Sequence, residues 1–181
     1  MTTPLGIREF AAGTLVTFSL ALTSCGGGDE ARPALPQLVA GDAHTVALEK
    51  DGTLWAWGSN QYGQLGNGTD QNSNVPVQLR TDATWQSVST RWGHTVAITR
   101  DGTIWAWGHN AFGELGNGTN TDRLLPVQIG TDGEWLSASA GTRHTVAVRK
   151  DGTLWAWGAN QDGQLGNATH TNSHRPVRIS K

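Results

Sequence analysis

Residues Asp51-Gly-Thr-Leu-Trp-Ala-Trp-Gly-Ser-Asn-Gln-Tyr-Gly-Gln-Leu-Gly66 decide the fold, because the chain writes this pattern three times. Asp-Gly-Thr returns at Asp101 and Asp151 and Trp-Ala-Trp-Gly at Trp105 and Trp155, each time 50 residues further on. Asn60, Gly63, Leu65, Gly66 and Asn67 come back unchanged at the same interval, as do Thr69, Pro76 and Val77. Upstream, His-Thr-Val-Ala recurs at His44, His94 and His144. A fixed period of this length marks a solenoid, a propeller or an array, in which each unit buries its apolar face on the next.

Periodicity inside one unit predicts strands. His44-Thr-Val-Ala-Leu48 is short and β-prone, and Glu-Lys-Asp51-Gly52 after it predicts a type I′ hairpin turn, since Asp-Gly supplies positive φ angles. Thr53 to Trp57 is the returning strand. The stretch from Gly58 to Gly66 is too rich in Gly, Asn and Gln for a regular element and reads as a compact loop. Pro76 to Leu79 predicts a third strand that starts on its proline. Trp85 to Ser89 predicts a fourth, matched at Trp135 to Ser139 and more loosely at Leu35 to Val39. Four short strands per unit are the content of one propeller blade, so the expected fold is all-β: three four-stranded units of 50 residues.

Repeat families of similar period differ in their residues. The strands here end in Trp-Gly at Trp57, Trp107 and Trp157 rather than in the Trp-Asp of WD repeats, and the units contain no Gly-Gly pair of the kelch kind. The string from Asp51 to Gly66, followed by Pro76-Val and by Gly93-His-Thr-Val-Ala-Ile98, resembles the regulator of chromosome condensation (RCC1) repeat across nearly all of residues 35–181. That resemblance implies a β-propeller of four-stranded blades, usually seven around a channel, that serves as an interaction scaffold, including in secreted bacterial members. It also implies an alternative, guanine-nucleotide exchange on a small GTPase, which the family's eukaryotic founding member performs. An export signal and the small number of blades disfavour that alternative.

Three units supply twelve strands, whereas propellers close with roughly four to eight blades. An open arc leaves two blade faces wet. A tryptophan buries about 200 Å², worth up to roughly 5 kcal/mol at about 25 cal/mol per Å², so open faces are costly. Either copies associate as a homo-oligomer, two copies giving six blades, or the chain is a truncated piece of a longer array.

Residues 1–24 read as a signal peptide: Phe10 to Leu22 is mostly apolar and too short to span a bilayer. Leu22-Thr-Ser-Cys25-Gly-Gly-Gly-Asp29 resembles the lipobox and tether of bacterial lipoproteins, which implies cleavage before Cys25 and its lipidation. Cys25 is the only cysteine, so an intramolecular disulfide is excluded. Residues 25–34 are then a flexible tether and 35–181 the repeat domain. The expected location is the bacterial cell envelope, lipid-anchored on the outer membrane and facing the periplasm or the surface.

Charge and motifs exclude several functions. With 15% charged residues, a net charge of −2 and no basic stripe, nucleic acid is not the expected partner. His44, His94 and His144 occupy one repeated place, which suits blade packing better than catalysis or a metal, since a metal needs three or four convergent ligands. His170 and His174 lie four apart in a polar loop with no helix to align them. The glycine-rich loop has no Lys before Ser or Thr and opens no helix, so it is not a phosphate cradle. Asn67-Gly-Thr, Asn117-Gly-Thr and Asn167-Ala-Thr match a glycosylation sequon but read as turns. No nucleophile elbow, acid/base pair, metal site or cofactor motif is present, and the chain reads as non-enzymatic.

Gly63, Gly113 and Gly163, with the repeated His and the second Trp of each pair, are expected to be structural. Function is then expected where the copies differ: Ser59-Asn-Gln-Tyr62 against His109-Asn-Ala-Phe112 and Ala159-Asn-Gln-Asp162, and Thr90-Arg-Trp92 against Ala140-Gly-Thr142. Tyr62, Arg91, Trp92, Phe112 and Arg123 are the candidate protein-binding residues, being loop residues of hot-spot type.

Overall fold

The computed structural model describes residues 34–79 and 81–179; the leader, Cys25 and the tether up to residue 33 lie outside the described residues. Every regular element among the described residues is a strand. The first blade is β1 (Gln37–Ala40), β2 (His44–Leu48), β3 (Leu54–Gly58) and β4 (Ser73–Gln78). The second is β5 (Trp85–Arg91), β6 (His94–Thr99), β7 (Ile104–Gly108) and β8 (Arg123–Gln128). The third is β9 (Trp135–Ala140), β10 (His144–Arg149), β11 (Leu154–Gly158) and β12 (Ser173–Arg178). Each blade is a four-stranded antiparallel meander in chain order, so the described residues are all-β, as the period predicts.

Two local expectations need correction. The Asp-Gly hairpin is not type I′. Gly52 N–H donates to Glu49 O (3.0 Å) and Glu49 N–H to Thr53 O (2.9 Å), with Gly52 at φ +93° and no positive φ at Asp51. This is a three-residue loop: a type I turn closed by a left-handed glycine. Asp51 Oδ1 holds it by accepting from Thr53 N–H (2.9 Å) and Thr53 Oγ1 (2.8 Å). The third strand also starts before Pro76. Gly58 pairs with Ser73 and Ala56 with Val77, with an irregular register between them, so Pro76 sits inside β4. It is tolerated because β4 is the outer edge of its blade and the missing N–H faces no further strand.

The core lies between blades. One cluster joins Val46, Leu48, Leu54 and Ala56 of the first blade to Trp85, Val88, Ala97 and Trp107 of the second. Another joins Val96, Ile98, Ile104 and Ala106 of the second to Trp135, Ala147 and Trp157 of the third. Ala34, at the edge of the expected tether, is buried in the first cluster and so belongs to the folded unit.

Each junction is keyed by one indole. Trp107 Nε1 donates to Gln64 O (3.0 Å) of the preceding blade and Trp157 Nε1 to Glu114 O (2.8 Å). The ring lies on a glycine: a Cβ at Gly66 would fall 2.7 Å from Trp107 Nε1, and one at Gly116 2.7 Å from Trp157 Nε1. Thr95 and Thr145 hydroxyls donate to the same two carbonyls (3.0 and 2.8 Å), so both lone pairs of each oxygen are used.

Candidate functional site

The loops between the third and fourth strands of each blade stand at one end of the fold, and each is built on a buried asparagine. Asn60 Nδ2 donates to Thr69 O (2.8 Å) and Gln71 O (3.0 Å), and its Oδ1 accepts Leu65 N–H (2.9 Å). Asn110 and Asn160 repeat the arrangement. A fully satisfied amide thus fixes a loop that lacks regular structure. On this rigid base Tyr62, His109 and Phe112 are displayed, and Trp92 and Arg143 stand beside them on the turns between the first and second strands of their blades.

Three of the sequence candidates meet. Tyr62 stacks on Trp92 with centroids 5.3 Å apart, and both rings meet His109 edge-on at 4.8 and 4.6 Å. Phe112 lies 6.4 Å from His109. Arg143 completes the row, its guanidinium 4.8 Å from the Phe112 ring and 5.9 Å from that of Trp92. Tyr62 comes from the first blade, Trp92, His109 and Phe112 from the second, and Arg143 from the third, so the row crosses both junctions. Tyr62, Trp92 and Phe112 are half-buried and Arg143 is exposed. Arg91 is exposed beside Trp92. Arg123 opens β8 opposite Gly108 and makes none of these ring contacts.

Two parts of the row are not among the sequence candidates. Arg143 stands where the other copies have Ala43 and Gly93, one residue beyond the stretch that separates Trp92 from Thr142. His109 and Glu114 replace Ser59 and Gln64 together, and that paired replacement is the signal for their contact. His109 Nδ1 meets Glu114 Oε1 at 2.8 Å, and Glu114 Oε2 accepts Phe112 N–H (2.8 Å) although Glu114 is 0% exposed. The buried carboxylate therefore anchors both the imidazole under the aromatic row and the backbone of Phe112. Trp92 itself has φ +49°, a left-handed conformation that costs a non-glycine residue roughly 1–2 kcal/mol.

Two of the repeated histidines, His44 and His94, occupy the junctions. His44 Nε2 bonds Thr90 Oγ1, which itself donates to His94 O (2.9 Å). His94 Nε2 meets Thr145 Oγ1 (3.1 Å), which donates to Glu114 O. Since these hydroxyls spend their protons on carbonyls, the imidazoles donate from Nε2, and the buried Nδ1 of each has no partner and stays unprotonated. Burial holds both rings neutral, with the pKa lowered to about 4 at His44 and at His94. His144 shifts in the same direction for the same reason. Of the other two, His170 Nδ1 donates to Gln161 O (3.1 Å) and the His174 carbonyl accepts Gly118 N–H (2.7 Å). Among the described residues no group of three or more His, Cys, Asp and Glu could hold a metal.

The profile described as regulator of chromosome condensation (RCC1) repeat matches residues 51–98, 101–148 and 151–181, and a second profile of the same description matches 37–64, 85–114 and 136–164. The chain belongs to the RCC1 repeat family. The RCC1 match begins on the Asp-Gly turn in the middle of one blade and runs to the second strand of the next, so the sequence unit spans a junction. Among curated relatives, the ultraviolet-B receptor UVR8 of Arabidopsis thaliana is 42% identical over 60 residues, 32% of this chain and 14% of the receptor. The E3 ubiquitin-protein ligase HERC2 of Homo sapiens is 42% identical over 40 residues, 22% of this chain and 1% of the ligase. The chain thus spans a small part of the curated RCC1 relatives it matches.

Solved structures share this fold. Prp20p of Saccharomyces cerevisiae, described with its binding to Gsp1p and histones, gives a TM-score of 0.72 at 25% identity over 80% of this chain and 38% of that one. Human WBSCR16 gives 0.72 at 23% identity over 81% and 38%.

Proposed function

We propose that this chain is a non-enzymatic scaffold, exported and held by a lipidated Cys25 on a bacterial envelope membrane, that binds another protein through its loop-end face. One observation carries the binding face: Tyr62, Trp92, Phe112 and Arg143, taken from places where the copies differ, converge into one row across three blades. Half-exposed rings locked by edge-on contacts offer apolar area at little ordering cost, and aromatic and Arg residues are the types that dominate interfaces. A strained Trp92 held out by its neighbours fits a retained binding residue better than a turn residue. Family kinship supports a protein partner, Prp20p being described as binding Gsp1p and histones.

The test is quantitative cross-linking of the full chain in envelopes of its own host, wild type against Tyr62→Ala, Phe112→Ala and Arg143→Ala combined. The triple variant should lose the wild-type adducts; an unchanged set and yield refutes the face. Cys25→Ala should move the chain from the membrane pellet to the soluble fraction, and its retention in the pellet refutes the anchor.

A further inference from the structure

At the Asp-Gly end of the blades, opposite the aromatic row, the second and third blades fill one place differently. In the third blade Arg149 pairs with Trp135 across β9 and β10 and holds its guanidinium 4.7 Å from the ring centroids of both Trp135 and Trp155. Its Nη2 donates to Asp132 Oδ2 at 2.7 Å. Two indoles and a carboxylate thus hold a cation that belongs to the chain itself, and a planar guanidinium suits both kinds of neighbour.

Fifty residues earlier the same frame stands around a different centre. Trp85, Trp105 and Asp82 take the places of Trp135, Trp155 and Asp132. The two indoles meet edge-on at 6.2 Å, against 6.0 Å in the third blade. Trp105 Nε1 donates to Thr103 Oγ1 (2.9 Å) as Trp155 Nε1 does to Thr153 Oγ1 (2.9 Å). Opposite Trp85, however, the strand carries Thr99 where Arg149 stands opposite Trp135. The Thr99 hydroxyl is spent inside its own turn, on Asp101 Oδ1 and Thr103 O. Beside it lies a cavity of about 600 Å³ whose lining includes Asp82, Thr84, Trp85, Thr99, Trp105 and Pro126. Trp85 is buried, Trp105 half-buried and Asp82 exposed. Among the described residues no cation lies over either ring or pairs with Asp82. In the first blade Glu49 and Leu35 stand in the places of Arg149 and Trp135, so the frame is not repeated there. The second blade is packed on both sides, so its cavity does not depend on what lies beyond the first or third.

We infer that this cavity binds a guanidinium group supplied from outside the chain, carried by a free small molecule of the arginine class or by an arginine side chain of a protein. The bound group takes the place that Arg149 fills in the third blade, against Trp85 and Trp105 and paired with the carboxylate of Asp82. A guanidinium suits it better than an ammonium, because the planar fork stacks on a ring while donating to a carboxylate and is the more weakly hydrated of the two. The volume is that of a small-molecule site and leaves room for the rest of an arginine. The site lies at the far end of the blades from the aromatic row and is independent of it, so either reading can fail alone.

Calorimetric titration of the full chain, in detergent if it carries lipid, tests it with L-arginine, L-lysine and L-citrulline. L-Arginine should bind at one site per chain with a Kd of millimolar order. L-Lysine should bind several-fold more weakly, and L-citrulline, of nearly the same shape without the charge, should not bind. A blocked Gly-Arg-Gly peptide separates the two sources: binding as tight as that of the free amino acid assigns an arginine side chain, and its loss assigns a free small molecule. Thr99→Arg supplies from within what the third blade already has, and should abolish binding without lowering the thermal midpoint. Arg149→Thr copies the second blade and should raise the stoichiometry from one site to two. Asp82→Asn should raise Kd about three- to fivefold. Arg80→Gly, which copies Gly130, should leave binding unchanged. The inference is overturned if the wild type does not bind L-arginine, if L-citrulline binds equally, or if binding survives Thr99→Arg. A single site in Arg149→Thr, or binding seen only in Arg80→Gly, overturns it as well.

Discussion

Replacing Gly116 with alanine separates two reasons for a glycine that are usually inseparable. Gly116 has φ +74°, and its added Cβ would lie 2.7, 2.8 and 3.0 Å from Nε1, Cδ1 and Cε2 of Trp157. That indole cannot retreat: it is 0% exposed, bonded to Glu114 O at 2.8 Å and packed 5.9 Å from Trp135. Gly130 is the control, with almost the same φ of +72° and nothing within 4 Å of its Cβ. Alanine at a left-handed position costs about 1–2 kcal/mol, so Gly130→Ala should lose that much. Gly116→Ala should lose about 2–5 kcal/mol, the same conformational cost with an overpacking cost of about 1–3 kcal/mol on top of it. Urea unfolding followed by tryptophan fluorescence, at one protein concentration and with the m-values compared, reads the difference. Equal losses at the two positions would refute the wedge between blades two and three.

Acid should weaken the fold through the junction histidines. The folded pKa of about 4 at His44 and at His94 lies below the ordinary 6.5, so the unfolded chain binds more protons between those values. Stability is therefore complete above pH 6.5 and falls by on the order of 3 kcal/mol per ring as the pH drops to about 4. His94→Gln should flatten the slope of midpoint against pH, and an unchanged slope would assign the effect elsewhere. Asn110→Asp should destabilise more than Asn110→Ala, by about 3 kcal/mol or more, because a carboxylate would face the carbonyls of Thr119 and Thr121; the reverse order in thermal melts refutes that hub. Tyr62→Ala, Phe112→Ala and Arg143→Ala together should leave the urea midpoint energy within about 1 kcal/mol of wild type, since the three side chains lie outside both core clusters. A larger loss would make the row structural.

Much of the fold was legible because the repeat turns every signal into three independent readings. The hairpin at Asp51-Gly52, the strand of Trp55 and Trp57 and the loop after Gly58 are all where the residue types place them. The turn type was not legible, because Asp-Gly serves two hairpins and only the backbone at Asp51 distinguishes them. The start of β4 was hidden by Pro76, whose exclusion from strands applies to paired interiors and not to an outer edge. At the loop end, Tyr62, Trp92 and Phe112 announce themselves as large residues in variable places. Arg143 and the His109–Glu114 contact do not, since their meaning depends on which loops of different blades come together.

The junction contacts also determine how such a chain can change length. Hydrogen bonds that tie neighbouring blades join residues 31, 43, 51 and 56 apart and recur one period later with the same offsets. Removing or inserting 50 consecutive residues within the array therefore preserves these repeated pairings across the scar, wherever the cut falls. A gene for such a protein needs no privileged seam: unequal recombination between its own copies yields a foldable product at almost every crossover point, and arrays of different length are one mutational step apart.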